Sequence, residues 1–93
     1  MTAQIFRHVL PTKPGRFTIG AHGFKPLTLR VEKDVPVIDE MGIALPEGDK
    51  PYPHHFVWVE TGEGLPDGAS TASYVGTVDV LGGLILHLFQ VWI

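Results

Sequence analysis

Residues 74–92 read Tyr-Val-Gly-Thr-Val-Asp-Val-Leu-Gly-Gly-Leu-Ile-Leu-His-Leu-Phe-Gln-Val-Trp, two β-rich runs on either side of a Gly-Gly pair. A two-residue Gly-Gly loop between such runs is typical of a β-hairpin, because type I′ and II′ turns need positive φ angles, which glycine adopts without strain. The stretch therefore predicts two antiparallel strands joined by Gly82 and Gly83.

The loop also predicts which residues of the hairpin face each other. Counting outward from Gly82 and Gly83, with side chains alternating between the two faces, pairs Val80 with Ile85, Val78 with His87, and Gly76 with Phe89. In this register the ring of Phe89 lies over the bare backbone of Gly76. Apolar side chains occur on both faces, so both faces are expected to be covered.

The remaining chain reads as further strands with no long helix. Alternating or β-rich segments occupy residues 4–10, 16–19, 27–31, 34–38 and 54–60. Residues 32–34 form a polar turn, so 27–38 is expected to be a second hairpin, with Pro36 at an edge or a bulge. Eight prolines and eleven glycines punctuate the chain. The sequence predicts an all-β fold, a small antiparallel sandwich or partly open barrel of six or seven strands closed by the 74–92 hairpin.

Length and composition predict one domain over residues 1–93, because a chain of this size does not supply two separate cores. The chain has no cysteine, which excludes disulfides and the common cysteine-based zinc sites. No apolar stretch reaches the roughly 20 residues needed to cross a bilayer. We therefore expect a cytosolic protein with no membrane insertion.

The charges are unevenly distributed along the chain. All seven Lys and Arg residues fall in the first fifty positions, whereas only acids, Glu60, Glu63, Asp67 and Asp79, follow Lys50. A phosphate backbone is neutralised by clustered Lys or Arg. Nucleic acid is therefore not expected as a partner, and a neutral or basic protein surface is favoured.

The candidate catalytic side chains have structural explanations. His54 and His55 are adjacent in a predicted strand, so they point to opposite faces and do not share a metal ion. His87 lies among apolar residues and is interpreted as a core histidine bonded to a backbone carbonyl or to Tyr74. Ser70 and Ser73 lack an activating context. We expect no enzymatic activity, cofactor or metal site.

Exposed aromatic and acidic residues are the better candidates for a binding surface. Trp and Tyr are favoured anchors of protein interfaces. The candidate protein-binding residues are Tyr52, Trp58, Glu60, Glu63, Asp67 and Trp92. For Trp58 a core position beside Phe56 is an equally good interpretation, and Trp92 would then cap the end of the barrel.

The strand at 84–93 is long, apolar on both faces and free of charge or proline. An exposed edge of this kind pairs readily with another chain. We expect it to be covered either by residues 5–10 of the same domain or by a second copy, with a homodimer favoured.

Several segments resemble a small family of uncharacterised bacteriophage and prophage proteins. The matching strings are Tyr-Val-Gly-Thr-Val from Tyr74 followed by Gly-Gly and by His-Leu-Phe from His87, Ile-Phe-Arg-His-Val-Leu from Ile5, Leu-Thr-Leu-Arg-Val from Leu27, and Thr-Gly-x-x-Leu-Pro from Thr61. The resemblance spans most of the chain and implies a phage origin and a β-rich fold. It implies no catalytic residue.

Together these features predict a non-enzymatic phage protein that binds a host bacterial protein in the cytoplasm of the infected cell. Host takeover and superinfection exclusion are the expected roles, with a polar-growth or cell-division scaffold of the DivIVA type as one conceivable target by analogy. The alternatives are a virion structural or assembly component, and a small-molecule-binding barrel.

Overall fold

A computed structural model describes residues 3–21, 25–45, 48–80 and 83–92. The described chain forms seven strands: β1 (Ala3–Val9), β2 (Gly15–Ala21), β3 (Lys25–Glu32), β4 (Val35–Ile43), β5 (Tyr52–Glu60), β6 (Tyr74–Val80) and β7 (Leu84–Val91), with a 3₁₀ turn at Thr71–Ser73 before β6. The all-β prediction and the number of strands are confirmed. Among the described residues, no helix has the length and apolar character needed to span a bilayer.

The strands form two antiparallel sheets that pack as a sandwich. Sheet A has the order β1-β4-β3, and sheet B has the order β2-β5-β7-β6. No described strand is shared between the sheets, so they do not close into a barrel. The partly open barrel, one of the two predicted architectures, is therefore replaced by the sandwich.

The main core fills the space between the sheets. Its largest members from sheet B are Phe56, Trp58, Leu86 and Leu88, each no more than 1% exposed, and Ile38 contributes from sheet A. The rings of Phe17 and Phe56 stack with centroids 5.8 Å apart. Burial of these apolar side chains is the main term that stabilises the fold.

The outer face of sheet B carries a second apolar cluster, formed by Val57, Val59, Phe89 and Val91. The β5–β6 loop, residues 61–73, covers this cluster with Ala69 packed against it. Arg16 on β2 donates from Nη2 to the carbonyl oxygen of Asp67 at 3.3 Å, which ties the loop to the sheet. The chain itself thus covers the Phe89 and Val91 part of the hairpin's second face, whereas Ile85 on the same face is 43% exposed.

The β6–β7 hairpin differs from its predicted register by one residue. The observed pairs are Val80 with Leu84, Val78 with Leu86, and Gly76 with Leu88. The pairing of Val80 with Leu84 leaves three residues between the strands instead of two, and the N–H of Gly83 donates to the carbonyl of Val80 at 3.2 Å. Leu81 and Gly82, one of the two predicted loop residues, lie outside the described residues.

The one-residue difference changes which side chains share a face, because the side-chain period of a strand is two. Val78 and Val80 face the core together with Leu86 and Leu88, where the predicted register placed them beside His87 and Phe89. The predicted packing of Phe89 over Gly76 is wrong. A Cβ atom at Gly76 would instead lie 2.9 Å from Cδ2 of Leu29, on the opposite sheet.

Strand β7 lies inside sheet B and not at its edge. It pairs with β5 on one side and β6 on the other, so both of its backbone edges are occupied within one chain. Neither of the predicted coverings, residues 5–10 or a second copy, applies to this strand. An exposed β7 edge therefore gives no argument for a homodimer.

The β3–β4 hairpin turns at Lys33 and Asp34, whose φ angles of 50° and 64° are the positive values that a type I′ turn requires. Pro36 occupies the central strand of sheet A, not the predicted edge or bulge. Its carbonyl accepts from the N–H of Leu10 at 2.9 Å. Because proline has no N–H to return, the β1–β4 ladder ends there.

Sheet A carries a hydrogen-bonded His–Glu pair on its inner side and a charged network on its outer side. Glu40 is fully buried and accepts a hydrogen bond from Nε2 of His8 at 2.8 Å. On the outer side Arg30 donates to Asp39 at 2.6 Å and to Glu32 at 2.7 Å. The hydrogen bonds to Asp39 first and then to Glu32 raise the pKa of the Arg30 guanidinium above its ordinary value.

Candidate functional site

One end of the sandwich presents three exposed aromatic side chains. We call it the Trp92 end and define it by Tyr52, Tyr74 and Trp92, which are 70%, 49% and 66% exposed. Tyr52 begins β5, Tyr74 begins β6, and Trp92 directly follows β7. Because neighbouring strands of sheet B are antiparallel, the starts of β5 and β6 lie at the same end as the close of β7.

The position of Trp92 follows from the alternation of β7. Leu86 and Leu88 point into the core, Gln90 continues this face, and Trp92 lies on the same side one step further along. At this point the opposite sheet no longer fills the space above the strand. The indole therefore extends past the core into solvent, as expected for a large side chain that a small core cannot accommodate.

Two open clefts flank Trp92. The first, of about 300 Å³, lies between the sheets and is lined by Leu29, Ile38, Val75, Gln90 and Trp92 among others. The second, also of about 300 Å³, lies toward the start of β5 and is lined by Pro53, His54, His55, Gln90, Val91 and Trp92. Gln90 and Trp92 form the wall common to both clefts. Each cleft combines apolar surface with a few polar groups, the usual character of a binding site.

The common wall has a fixed polar pair. Nε2 of Gln90 donates to Nδ1 of His54 at 3.1 Å, so the proton of a neutral His54 ring resides on Nε2. His55 on the opposite face bonds to Thr18 Oγ1 at 3.2 Å. The prediction that adjacent His54 and His55 point to opposite faces is confirmed. Within the described residues, no three His, Asp or Glu side chains are grouped as a metal site requires.

The structure separates the six predicted binding residues into three groups. Tyr52 and Trp92 are exposed together at the Trp92 end. Trp58 is 1% exposed and donates from Nε1 to the carbonyl of Pro11 at 2.9 Å. Trp58 is therefore a core residue and not a surface anchor, because sheet B directs it at sheet A.

The three acids form the third group: Glu60 ends β5, and Glu63 and Asp67 lie on the β5–β6 loop. Glu60 and Glu63 share a tight turn in which the N–H of Glu60 donates to Oε1 of Glu63 at 3.0 Å. Asp67 lies further along, next to Gly68, where an added Cβ would be 2.9 Å from the carbonyl oxygen of Trp92. Of the three acids, Asp67 thus lies nearest to the Trp92 end, and the later loop residues Ala72 and Ser73 line the first cleft there.

A third cleft, of about 410 Å³, opens where the loop meets β2. Val57 and Val59 line it, and Arg16 and Glu63 place opposite charges on its rim. Val57 and Val59 belong to the apolar cluster that the loop covers, so this cleft lies at the edge of the covered area. The sequence carried no signal for this cleft, since β2 and the loop are distant along the chain.

His87 is part of a hydroxyl chain on the outer face of sheet B, where the sequence predicted a core histidine. Its Nε2 lies 2.8 Å from Thr61 Oγ1, and its Nδ1 lies 2.8 Å from Thr77 Oγ1. Thr77 is in turn 2.5 Å from the hydroxyl of Tyr74. Both ring nitrogens are occupied by hydroxyl groups, so His87 links the β5–β6 loop to β6 and β7.

Comparison of the chain with protein-family models, with curated proteins and with solved structures found no match.

Proposed function

We propose that the protein is a non-enzymatic binding protein of bacteriophage origin that engages a host bacterial protein through the Trp92 end. The observation that carries the proposal is the exposure of the Trp92 indole between two clefts. Trp and Tyr, together with Arg, are enriched among the side chains that contribute most to binding energy at protein interfaces. The phage origin and the host cytoplasm rest on the resemblance of residues 5–10, 27–31, 61–66 and 74–89 described above.

The form of the clefts favours an extended peptide segment over a compact ligand. The first cleft is bordered by Leu29 and Val75, and the second by Pro53 and Val91, with the Trp92 indole standing between them. A segment that crosses Trp92 contacts apolar surface on both sides of the ring. The amide of Gln90 lies in both walls and offers a hydrogen bond to the peptide backbone.

Affinity capture with a matched pair of variants tests the proposal. The tagged wild-type protein, Trp92→Asp and Ile85→Asp are each used to capture proteins from a lysate of the host bacterium. Ile85 lies on β7, the strand that Trp92 directly follows, and is 43% exposed, so it controls for the loss of an exposed apolar side chain. We expect one stoichiometric host protein with the wild type and with Ile85→Asp, and its loss with Trp92→Asp.

Titration with the purified partner then measures how much the substitution changes the dissociation constant. Loss of a side chain that contributes about 2 kcal/mol to the binding free energy raises the dissociation constant about 30-fold. An unchanged dissociation constant for Trp92→Asp would exclude the Trp92 end as the binding surface. Presence of the protein in purified virions, with no captured host protein, would instead support the virion component.

A further inference from the structure

Four strand edges lack a partner strand among the described residues, and three of them are interrupted or shielded. β3 and β6 pack against each other, with Leu29 over Gly76, and both contain a register shift. β2 pairs with β5 over seven residues without a shift, but it contains Gly15, with a φ of +124°, and Gly20, and glycine weakens a strand. β1 pairs with β4 over seven residues without a shift and contains neither proline nor glycine. Natural sheets protect edges with bulges, prolines, charged side chains or cover, and of these the described residues give β1 a single charge, Arg7.

The hydrogen bond between Leu10 N–H and Pro36 O fixes which groups of β1 are available. In an antiparallel ladder, successive residues direct their N–H and C=O groups alternately toward the two sides. Since Leu10 bonds toward β4, the even-numbered residues of β1 do the same. The backbone groups of Ala3, Ile5, Arg7 and Val9 therefore point outward from the sheet edge.

The side chains of the same four residues lie on the outer face of sheet A. Ile5 and Val9 are 58% and 65% exposed, although strand residues of this type are usually covered. Arg7 stands between them, with Nη2 at 2.7 Å from Oε1 of Glu32. The β1 edge thus combines open backbone groups with an apolar strip whose single charge is already paired within the chain.

We propose that the β1 edge is the docking surface for a second copy of this chain, joined antiparallel across a two-fold axis at Phe6. This register places Phe6 opposite its own copy, Ile5 opposite Arg7, and Ala3 opposite Val9. The outward groups of all four odd-numbered residues then pair, forming about eight backbone hydrogen bonds. The two copies of sheet A become one continuous six-stranded sheet.

The residue order of β1 favours a second copy over an unrelated strand because it is compatible with itself. In this register no two like charges are opposed, and the aliphatic part of Arg7 covers Ile5 of the other copy. A shift of the axis to Arg7 would place two guanidinium groups directly opposite each other, which is unfavourable. The ion pair with Glu32 keeps Arg7 neutralised as its surroundings lose water. This surface is separate from the Trp92 end and does not depend on the proposed function.

A disulfide test reads the register directly, because the natural chain has no cysteine. In the proposed dimer the two copies of Phe6 form a non-hydrogen-bonded pair with Cα atoms about 4.5 Å apart. That distance lies within the range of a disulfide. Phe6→Cys is therefore expected to form a covalent dimer under mild oxidation. Val9→Cys on the same strand is the control, since its two copies lie about 20 Å apart.

A proline substitution tests the edge without a cysteine. The N–H of Ile5 points outward, so Ile5→Pro removes a hydrogen bond of the dimer and none of the β1–β4 ladder. Light scattering at micromolar concentration should give twice 10.2 kDa for the wild type and for Ile5→Thr, and 10.2 kDa for a folded Ile5→Pro. A monomeric wild type overturns the proposal, as does a folded Ile5→Pro that remains dimeric or a Val9→Cys that crosslinks as fast as Phe6→Cys.

Discussion

Gly76 shows how one residue without a side chain lets the two sheets approach. The space that its Cβ would occupy is taken by Leu29, 2.9 Å from Cδ2 and 3.4 Å from Cβ of that residue. Gly76→Val should therefore lower the free energy of unfolding by about 1–3 kcal/mol through overpacking. Urea denaturation followed by circular dichroism measures the change.

The partner of Gly76 is identified by a double-mutant cycle. Leu29→Ala removes the crowded side chain, so the loss in Gly76→Val/Leu29→Ala should be smaller than the sum of the single losses. Phe89→Ala is the control and should add to Gly76→Val without coupling. If Gly76→Val coupled to Phe89→Ala and not to Leu29→Ala, the result would support the register predicted from the sequence, in which Gly76 pairs with Phe89.

Gly83 is the second residue at which glycine is required. Its φ is +77°, and nothing lies within 4 Å of an added Cβ, so any cost of substitution comes from the backbone alone. Gly83→Val should cost about 1–2 kcal/mol of stability, because a β-branched residue is strained in this region. Gly64→Val is the matched control, since Gly64 also has open space around it and no positive φ. Equal melting temperatures for the two variants would contradict the turn.

At the scale of elements, the two turn residues of the β3–β4 hairpin are of types that are not favoured in the conformation they adopt. Lys33 and Asp34 both adopt positive φ, where Asn and Gly are favoured. Lys33→Asn/Asp34→Gly should raise the free energy of unfolding by about 1 kcal/mol. Asp49→Gly/Lys50→Asn exchanges the same residue types where φ is not positive and should give no gain. A loss of stability in the turn variant would show that the native side chains contribute contacts of their own.

The elements also show how far the sequence predicts this fold. The pattern of alternating or β-rich segments located all seven strands, because successive side chains of a strand point to opposite faces of the sheet. It did not locate their neighbours: β7 reads as a bare edge but lies between β5 and β6. Pairing partners depend on contacts between distant segments, which local alternation does not contain.

The hairpin register was wrong for a different reason. Gly82 and Gly83 fit a two-residue loop, whereas the chain uses a three-residue turn with only Gly83 placed in the left-handed region among the described residues. Both loops satisfy local turn chemistry. The choice between them is made by the core, which gains Val78 and Val80 beside Leu86 only in the observed register.

At the scale of the whole molecule, the four acids after residue 50 lie on strands of sheet B or on the β5–β6 loop, whereas no Lys or Arg follows Lys50. Under the proposed function, Asp67→Lys should weaken partner binding mainly through a slower association rate with less salt dependence. Stability should change by only a few tenths of a kcal/mol, because Asp67 holds Arg16 through its carbonyl oxygen and not its carboxylate.

Glu60→Lys and Glu63→Lys extend this test to the far end of the loop. Glu63→Lys should also lose some stability, since the Glu63 side chain accepts the N–H of Glu60. Asp49→Lys makes the same charge change outside the loop and is the control for net charge. Association rates are measured by surface plasmon resonance at two salt concentrations, and an equal effect of Asp49→Lys would mean that the loop has no specific role.

The candidate site was only partly predictable for the same reason as the fold. Exposed Tyr52 and Trp92 followed from residue type and from the limited core of a small domain. The clefts beside Trp92 did not, because their walls come from Leu29, Ile38 and Val75, which only the packing of the two sheets brings near Gln90. The sequence left open whether Trp58 is buried or exposed, because its burial depends on which face of β5 packs against sheet A.

The contrast between the two indoles provides a pair of built-in optical reporters. Trp58 is sealed in the core and bonded to Pro11, whereas Trp92 is 66% exposed. Indole emission moves to longer wavelengths in polar, mobile surroundings, so the two residues emit in different parts of the spectrum. The short-wavelength emission of Trp58 reports unfolding. The long-wavelength emission of Trp92 reports binding of a ligand or partner at the Trp92 end. A single fluorescence titration of the unlabelled protein can therefore separate loss of structure from occupation of the Trp92 end.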